Sequence, residues 1–456
     1  MRTLLLGSGG RESAMAWALS RSKVVSDLIA APGNPGIGQL ASCTDVSATD
    51  PEALLELAGH IKAELVVIGP EAPLIAGVGD DLRQAGLKVF GPSARAARLE
   101  GSKSWAKEVM ARAGVPSARA RTFAEVEPAI AFMDELGPPY VVKADGVAAG
   151  KGVVVTEHRD KAIDAIEERV VRRAFGEAGT KIIIESYLVG QEVSLIAFTD
   201  GRVVIPCDPA QDYKRALDGD RGPNTGGMGS YSPVPSCPGD LAAAAATEII
   251  EPVVRSLADD GIVYAGAIYA GLILNDEGTQ VLEFNARLGD PETQALLPRL
   301  AGDFGELCLA CADGDLAGME PAWREEACVD VVIASAGYPG PSAGGVVIEG
   351  VGDAAAVPGV EVFHAGTAVD DGELVTSGGR VLSVSALGPS FEGARALAYE
   401  AAGCIHFEGS YMRSDIGLQP SEDESLLRSR RAHPALGATE AAEPDPQQRR
   451  TVMRES

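Results

Sequence analysis

A regular alternation of short apolar runs and amphipathic stretches over the first hundred residues constrains the fold more than any other feature. The apolar runs are residues 3–6, 28–31, 65–68 and 88–90, and amphipathic stretches such as 13–20 and 51–61 separate them. Strands that alternate with helices of about ten residues are typical of a parallel α/β sheet with helices on its faces. We therefore predict a Rossmann-like domain over 1–100.

Loops rich in glycine and proline follow three of these predicted strands. They read GSGGRE from residue 7, PGNPG from residue 32 and GPEAPL from residue 69. Gly9 and Gly10 would let a phosphate approach a helix N-terminus, but Glu12 replaces the third glycine of the dinucleotide fingerprint. The first loop alone fits a tight turn as well as a phosphate site. Because ligands of open α/β sheets bind beyond the carboxyl ends of the strands, the three loops together favour a ligand site.

The pattern changes from about residue 101 to closely spaced β-runs with a helix near 160–173, which indicates an α+β lobe with antiparallel strands. Residues 265–274 and 281–285 predict a hairpin that turns at 275–278. We assign 101–325 to this central domain and 326–417 to a small β-rich C-terminal domain. Residues 418–456 are rich in Ser, Glu, Arg, Pro and Gln without apolar periodicity, so we expect a disordered tail.

A loop of small residues with two lysines carries the stronger phosphate-binding signal. It runs from Lys143 through Gly146 and Gly150 to Lys151 and Gly152. Such a loop can close over a nucleotide while its lysine meets phosphate oxygens. It is not a Walker motif, because Gly152 stands where that motif requires Ser or Thr. The alternative interpretation is a solvated hairpin turn.

The sharpest constellation is the row Glu283, Asn285 and Arg287. Alternate residues of a strand share one face, so the three side chains are predicted to point the same way. A carboxylate and an amide oxygen suit Mg²⁺, and a neighbouring arginine can neutralise a transferring phosphoryl group. The alternative is a polar edge face of a sheet.

Three further segments hold polar residues beside turns. Glu185 and Glu192 flank a turn, and either could accept hydrogen bonds from a ribose or be an ordinary surface charge. Asp212 and Lys214 stand in a short charged segment. The stretch GPNTGGMG over 222–229 contains more glycine than a plain turn needs, so we interpret it as a binding loop.

Composition excludes several classes of protein. The 39 Lys and Arg residues against 65 Asp and Glu give a net charge of −26, which argues against non-specific nucleic-acid binding. No apolar run reaches the roughly 18 residues of a membrane span and the first residues do not resemble a signal peptide, so we expect a soluble cytoplasmic protein. Seven cysteines favour reduced thiols, and the lone pair Cys308 and Cys311 fits a helical core better than a metal site. Zinc-hydrolase and serine-hydrolase motifs are missing from the sequence.

Taken in order, these segments closely resemble the phosphoribosylamine–glycine ligase family of the ATP-grasp superfamily. The resemblance covers about 1–417 and rests on GSGGRE, PGNPG, IGPEAPLIAGV, GSKSWAKEVM, VVKADGVAAGKGV, GPNTGGMGSYSP, LEFNARLGDPETQ, VFHAGT and SGGRVL. It implies a pre-ATP-grasp N-terminal domain, a central ATP-grasp fold with a mobile lid lobe over about 117–190, and the β-rich C-terminal domain. It also implies ligation of glycine to 5-phosphoribosylamine with ATP, through glycyl phosphate, in purine biosynthesis. Mg²⁺ or Mn²⁺ would be the metal, the partners small molecules only, and the protein a monomer or weak dimer.

The resemblance implies a role for each matching residue. ATP would be bound by Lys103, Lys143, the loop containing Gly146, Gly150, Lys151 and Gly152, and the adenosine-side residues Glu185, Leu188 and Glu192. The metal would be held by Glu283 and Asn285. The ribose-phosphate side would comprise Gly9, Gly10, Asn34, Glu71, Asn224 and Gly226. Arg287 would face the acyl phosphate, with Lys214, Asp212 and Asp290 near glycine or the amine.

Two departures from the family pattern are visible. Ser13 stands where the family commonly has His, which puts a ribose contact there in doubt, and Ala216-Leu217 replaces the commoner Val-Gly. Three other functions compete with this interpretation: an ATP-grasp ligase for another carboxylate, a nucleotide-dependent oxidoreductase and a non-catalytic nucleotide-binding subunit. The missing third glycine counts against the second of these, and the intact phosphate and metal residues count against the third.

Overall fold

The computed structural model describes residues 1–146, 152–172, 180–342 and 344–418. The predicted site residues Gly150 and Lys151 lie outside this range, as does the predicted tail beyond Leu418. Among the residues described, no helix combines the length and apolar character that crossing a bilayer requires.

The N-terminal residues form a parallel sheet with helices between its strands. The strands are β1 (Arg2–Gly7), β2 (Asp27–Pro32), β3 (Ser42–Cys43), β4 (Leu65–Ile68) and β5 (Lys88–Phe90), in the order β3-β2-β1-β4-β5. The helices are α1 (Gly10–Ser20), α2 (Pro51–Ile61), α3 (Glu71–Ala76), α4 (Val78–Gln84) and α5 (Ala94–Gly101), with a 3₁₀ turn at Ile37–Gln39. The predicted parallel α/β architecture is confirmed. The strand order reverses between β1 and β4, which places the crevice of such a sheet at the carboxyl ends of these two adjacent strands.

The local sequence explains where these elements begin. Leu4, Leu5 and Leu6 of β1 are completely buried, as a strand with helices on both faces requires. Helix α2 begins after Asp50, whose carboxylate accepts from the Ala53 N–H at 3.1 Å, and Pro51 takes the first helical position.

The central region contains two antiparallel sheets, and the predicted antiparallel arrangement of its strands is confirmed. The strands are β6 (Ala120–Phe123), β7 (Tyr140–Ala144), β8 (Val153–Thr156), β9 (Ile182–Glu185), β10 (Gln191–Thr199), β11 (Val204–Pro206), β16 (Gly266–Asn275) and β17 (Gly278–Asn285). One sheet has the order β6-β9-β7-β8 and the other β11-β10-β16-β17. The predicted hairpin is present, because Asn275 pairs with Gly278 across a two-residue loop.

Helices cover these sheets. They are α6 (Lys103–Ala113), α7 (Val126–Leu136), α8 (Arg159–Val170), α9 (Gly239–Ala245), α10 (Glu251–Asp259), α11 (Glu292–Leu296) and α12 (Phe304–Asp313). A π-helical turn, Ala246–Ile250, joins α9 to α10, and a 3₁₀ turn, Leu297–Arg299, follows α11. Cys308 and Cys311 are buried free thiols of α12, as the core interpretation of this pair predicts.

The C-terminal sheet takes strands from two distant parts of the chain. They are β12 (Gln211–Asp212), β15 (Gly229–Ser232), β18 (Ala327–Ala334), β19 (Val360–His364) and β22 (Arg380–Gly388). Their order is β12-β15-β18-β22-β19, so strands from the central region pair with later ones. The ribbons are β13 (Arg215–Leu217) with β14 (Arg221–Asn224) and β20 (Thr367–Asp370) with β21 (Glu373–Thr376), and the helices are α13 (Val351–Ala355) and α14 (Phe391–Ala402).

Candidate active site

The glycine loop after β1 is built around a buried glutamate. Glu12 lies in the first turn of α1, and its carboxylate accepts from the Gly9 N–H at 2.7 Å. A Cβ added at Gly7 or Gly69 would overlap side-chain atoms of Glu12. Two glycines of neighbouring loops therefore make room for Glu12, which explains why the third glycine of a dinucleotide fingerprint is not needed here.

A cavity of about 450 Å³ opens where this loop meets the C-terminal region. Its walls include Gly9, Gly10, Asn34 and Asp290, all predicted as site residues. The remaining walls are Ser8, Gly33, Ala365, Gly366, Thr367, Ser377 and Arg380. The C-terminal residues were not predicted individually, although the motifs VFHAGT and SGGRVL contain all five of them.

Asn34 links separate segments of the cavity wall by hydrogen bonds. Its amide group donates to the carbonyls of Ser8 at 2.8 Å and His364 at 2.9 Å, and its oxygen accepts from the Ile37 N–H at 2.9 Å. The side-chain amide thus joins three segments of the chain. Ser13, the departure from the family pattern, is buried, and its hydroxyl accepts from the His364 N–H at 3.2 Å.

Asp290 is fixed from two sides inside the cavity. Arg380 Nη2 lies 3.0 Å from Asp290 Oδ2, and Gln294 Nε2 donates to Asp290 Oδ1 at 2.7 Å. Burial opposes the charge of Asp290, yet Arg380 and Arg11 outweigh burial and lower its pKa.

The predicted binding loop over 222–229 is joined to the cavity by a hydrogen bond with Arg380. The guanidinium of Arg380 donates to the Gly226 carbonyl at 2.6 Å, so Gly226 lies beside the Asp290–Arg380 pair. Asn224 of that loop is exposed and does not line the cavity. Gly226 therefore contacts the cavity through Arg380 without lining it, and Asn224 does neither.

Arg287 lies between two carboxylates. Its Nε donates to Glu71 Oε2 at 3.2 Å, and its Nη2 lies 2.8 Å from Glu100 Oε1. Glu100 also accepts from the Ala286 N–H at 2.8 Å. Burial raises the pKa of Glu100, whereas Arg287 acts to lower it. Glu71 and Arg287 were predicted as site residues from the sequence, whereas Glu100, which orients the guanidinium, was not.

Strand β17 carries two side chains on one face whose oxygens could bind a metal ion. Glu283 and Asn285 alternate along it, and the intervening Phe284 is buried on the other face. Burial favours the neutral form of Glu283, but Lys214, Lys103 and Lys143 hold its pKa below the ordinary value. No group of three His, Cys, Asp or Glu side chains in the described residues is arranged to hold a metal. The pair fits a hard divalent cation that completes its coordination with substrate oxygens and water.

The predicted residues Lys214 and Glu192 form an ion pair, with Lys214 Nζ 2.7 Å from Glu192 Oε2. Burial disfavours the charge on Lys214, but Glu192 and Asp212 outweigh it and raise the lysine pKa well above its ordinary value. Burial also raises the pKa of Asp212 to about 7, and Glu292 acts in the same direction while Lys214 opposes it. These three predicted residues therefore share one electrostatic cluster with Glu283.

The two lysines predicted to contact phosphate belong to neighbouring elements: Lys103 begins α6 and Lys143 lies in β7. Lys143 Nζ is 2.8 Å from Glu185 Oε2, and both side chains are buried. Asp145 accepts from the Ser104 N–H at 2.8 Å, which ties the first turn of α6, and with it Lys103, to the end of β7. The remaining described residues of this predicted site are the buried Gly146 and Gly152 and the half-buried Leu188.

Family models match nearly the whole of this architecture. The N domain of phosphoribosylglycinamide synthetase matches residues 1–100, the ATP-grasp (A) domain 101–293 and the C domain 328–419. The chain belongs to the phosphoribosylglycinamide synthetase family. The family resemblance drawn from the motifs is thereby confirmed.

Named relatives agree with this assignment. Phosphoribosylamine–glycine ligase from Rhizobium meliloti is 46% identical over 417 residues, which are 91% of this chain and 98% of the relative. The Pseudomonas aeruginosa enzyme of the same name is 47% identical over 422 residues, 92% and 98% of the two chains. The crystal structure of the Thermotoga maritima enzyme has a TM-score of 0.79 at 34% identity and covers 91% of this chain and 100% of its own. This family member is an ATP-dependent ligase with the ATP-grasp fold, and its relatives are enzymes of purine biosynthesis.

Proposed function

We propose that this chain joins glycine to 5-phosphoribosylamine, with conversion of ATP to ADP and phosphate, through a glycyl phosphate intermediate. The single observation that best supports the proposal is the convergence of three groups of residues. These groups are the Gly9–Gly10 loop with Asp290, the oxygen pair on β17, and Lys103 of α6 with the buried Lys143 of β7, and they carry the charges that this reaction needs.

The first step is attack by the glycine carboxylate on the γ-phosphate of ATP. Lys103 and Lys143 would contact the phosphate oxygens, while Leu188, Glu185 and Glu192 would lie on the adenosine side. A divalent cation, Mg²⁺ or Mn²⁺, held by Glu283 and Asn285 would neutralise phosphate charge. Arg287, already oriented by Glu71 and Glu100, would face the acyl phosphate.

The second step is attack by the amine of phosphoribosylamine on the acyl carbon, with phosphate as the leaving group. The 450 Å³ cavity has room for a pentose phosphate, and α1 begins at its wall with Gly10. Helix N-termini favour bound phosphate, so this end of the cavity suits the phosphate of the substrate. Asp290, Asp212 and Lys214 would orient the amine or the glycine. Such a site works by positioning and charge neutralisation, with no nucleophile from the protein.

Four further properties stay predictions: Gly150 and Lys151 as lid residues, a monomer or weak dimer, a cytoplasmic location, and small-molecule partners without nucleic acid.

The decisive experiment measures ADP release by the purified protein with Mg²⁺-ATP and glycine, with and without phosphoribosylamine generated in situ. We expect ADP formation that requires both substrates. ADP formation with a different carboxylate would assign the chain to another ATP-grasp reaction. If no ADP is released under any of these conditions, a non-catalytic nucleotide-binding protein would be favoured.

A further inference from the structure

A third lysine, absent from the predicted site, contacts the Lys143–Glu185 pair. Lys107 of α6 places its Nζ 3.4 Å from Glu185 Oε1, while Lys143 Nζ lies 2.8 Å from Glu185 Oε2. The side chains of Lys107, Lys143 and Glu185 are only 15%, 5% and 3% exposed. One buried carboxylate therefore pairs with two ammonium groups. Lys107, Lys143 and Glu185 together carry one net positive charge, which can attract an anion.

The three residues come from two different layers. Lys143 lies on β7 and Glu185 on β9, which are adjacent strands of one antiparallel sheet. Lys107 reaches them from α6, the helix that also carries Lys103, and it donates to the Ala118 carbonyl at 3.4 Å. Lys107 thus neutralises Glu185 from a helix outside that sheet.

We propose that Lys107 is a positioning residue that keeps Glu185 neutralised when Lys143 turns from Glu185 to the nucleotide phosphates. The inference rests on the proposed role of Lys143 as a phosphate ligand. A buried carboxylate that loses its only partner is strongly destabilised, so without Lys107 the phosphates would have to compete with Glu185 for Lys143. With Lys107 in place, Glu185 keeps one cation and Lys143 is free to move.

The surrounding electrostatics agree with this arrangement. Burial acts to raise the pKa of Glu185, but Lys143 and Lys107 together hold it below the ordinary value. Burial lowers the pKa of Lys107, Lys143 acts in the same direction, and Glu185 opposes both. The two lysines therefore repel each other and are held together by the carboxylate between them.

The test is a double-mutant cycle read by direct binding of a non-hydrolysable ATP analogue with Mg²⁺ in calorimetry. Lys107→Met should weaken binding on the order of 10- to 100-fold, since it leaves Glu185 dependent on Lys143. Lys107→Arg should restore most of the affinity. In a Glu185→Gln background, Lys107→Met should change the dissociation constant by less than about twofold, because no carboxylate remains to be neutralised.

Lys161→Met is the matched control, because Lys161 is an exposed lysine of α8. The affinity of the Lys161→Met variant for the ATP analogue should equal that of the wild type. The proposal would be overturned by an unchanged affinity in Lys107→Met. It would also be overturned if Lys107→Met caused the same loss of affinity in the wild-type background and in the Glu185→Gln background.

A folding failure of one variant does not remove the test. If Lys107→Met does not fold, Lys107→Gln, which also removes the charge and keeps a polar side chain, takes its place in both backgrounds of the cycle with the same expected results. Because the readout is nucleotide binding, a failure of the ligase assay would be distinguishable from a failure of this inference.

Discussion

Asp330 should make the stability of the folded chain depend on pH. It lies at the centre of β18 and is completely buried, with the Ser385 hydroxyl donating to Oδ1 at 2.7 Å and that of Ser383 to Oδ2 at 3.3 Å. Burial raises its pKa from 3.8 to about 7; the serine hydrogen bonds and Arg380 oppose this, whereas Asp290 adds to it. The folded state therefore holds the Asp330 proton more tightly than the unfolded chain does, by about 4 kcal/mol.

The sign follows from the two protonation states. Below about pH 3 both the folded and the unfolded chain keep the proton, so Asp330 costs almost nothing. As the pH rises towards 7 the unfolded chain releases the proton and the folded chain retains it, which favours unfolding. Above about pH 8 the loss of stability is nearly complete and constant. Between about pH 5 and pH 8 it grows by about 2.5 kcal/mol.

Replacing Asp330 with Asn keeps the shape and removes the ionisation. We expect thermal unfolding by calorimetry to show Asp330→Asn gaining a few degrees relative to the wild type between about pH 5 and pH 8. Asp276→Asn, in the exposed turn of the β16–β17 hairpin, controls for the loss of one negative charge. A difference between variant and wild type that is equal at both pH values would refute the reasoning.

Three further substitutions test the site and its scaffold. Glu283→Ala should lower kcat at least about a hundredfold while leaving the melting temperature nearly unchanged, and a normal rate at low Mg²⁺ would contradict the metal assignment. Asp290→Asn should raise KM for phosphoribosylamine about tenfold or more, because Arg380 loses its carboxylate partner, while nucleotide affinity stays constant. An equal loss of nucleotide affinity would place Asp290 elsewhere in the reaction. Gly69→Ala should destabilise the fold by about 1–3 kcal/mol because its Cβ would overlap the Glu12 carboxylate. Gly59→Ala, with nothing within 4 Å of the added Cβ, is the matched control, and equal melting temperatures for the two variants would contradict the packing argument.

Local patterns predicted much of the fold because they depend on neighbours in the chain. The strands at β1, β2, β4 and β5 are apolar runs bounded by turns, and the shared face of Glu283 and Asn285 follows from strand periodicity alone. Arg287, which was predicted to continue that row, lies beyond the end of β17 at Asn285, so strand periodicity does not place it. The β16–β17 hairpin follows from its short polar turn. These features need no knowledge of distant residues.

The residues that were missed owe their importance to distant contacts. Glu100 bonds to the Ala286 N–H 186 positions away, and Arg380 reaches the carbonyl of Gly226 across 154 positions. Lys107 stands among ordinary helical residues, and its contact with Glu185 becomes visible only in the folded chain. Glu12 looks like a defect in a glycine fingerprint when the sequence is taken alone. Its hydrogen bond with the Gly9 N–H is local, but the space that Gly69 leaves for its side chain becomes visible only in the folded chain.

The mixed origin of the C-terminal sheet limits how this protein can be divided. A chain that stops at residue 325 would keep β15 but lose β18, with which Gly229–Ser232 pairs throughout its length. The backbone N–H and C=O groups of β15 that pair with β18 would then be exposed at a strand edge, and such edges promote aggregation by pairing with other chains. The complementary fragment would begin its sheet without two of its strands. Anyone who expresses these pieces separately, or inserts a fusion partner between them, should therefore expect insoluble halves that regain solubility only when both are produced together.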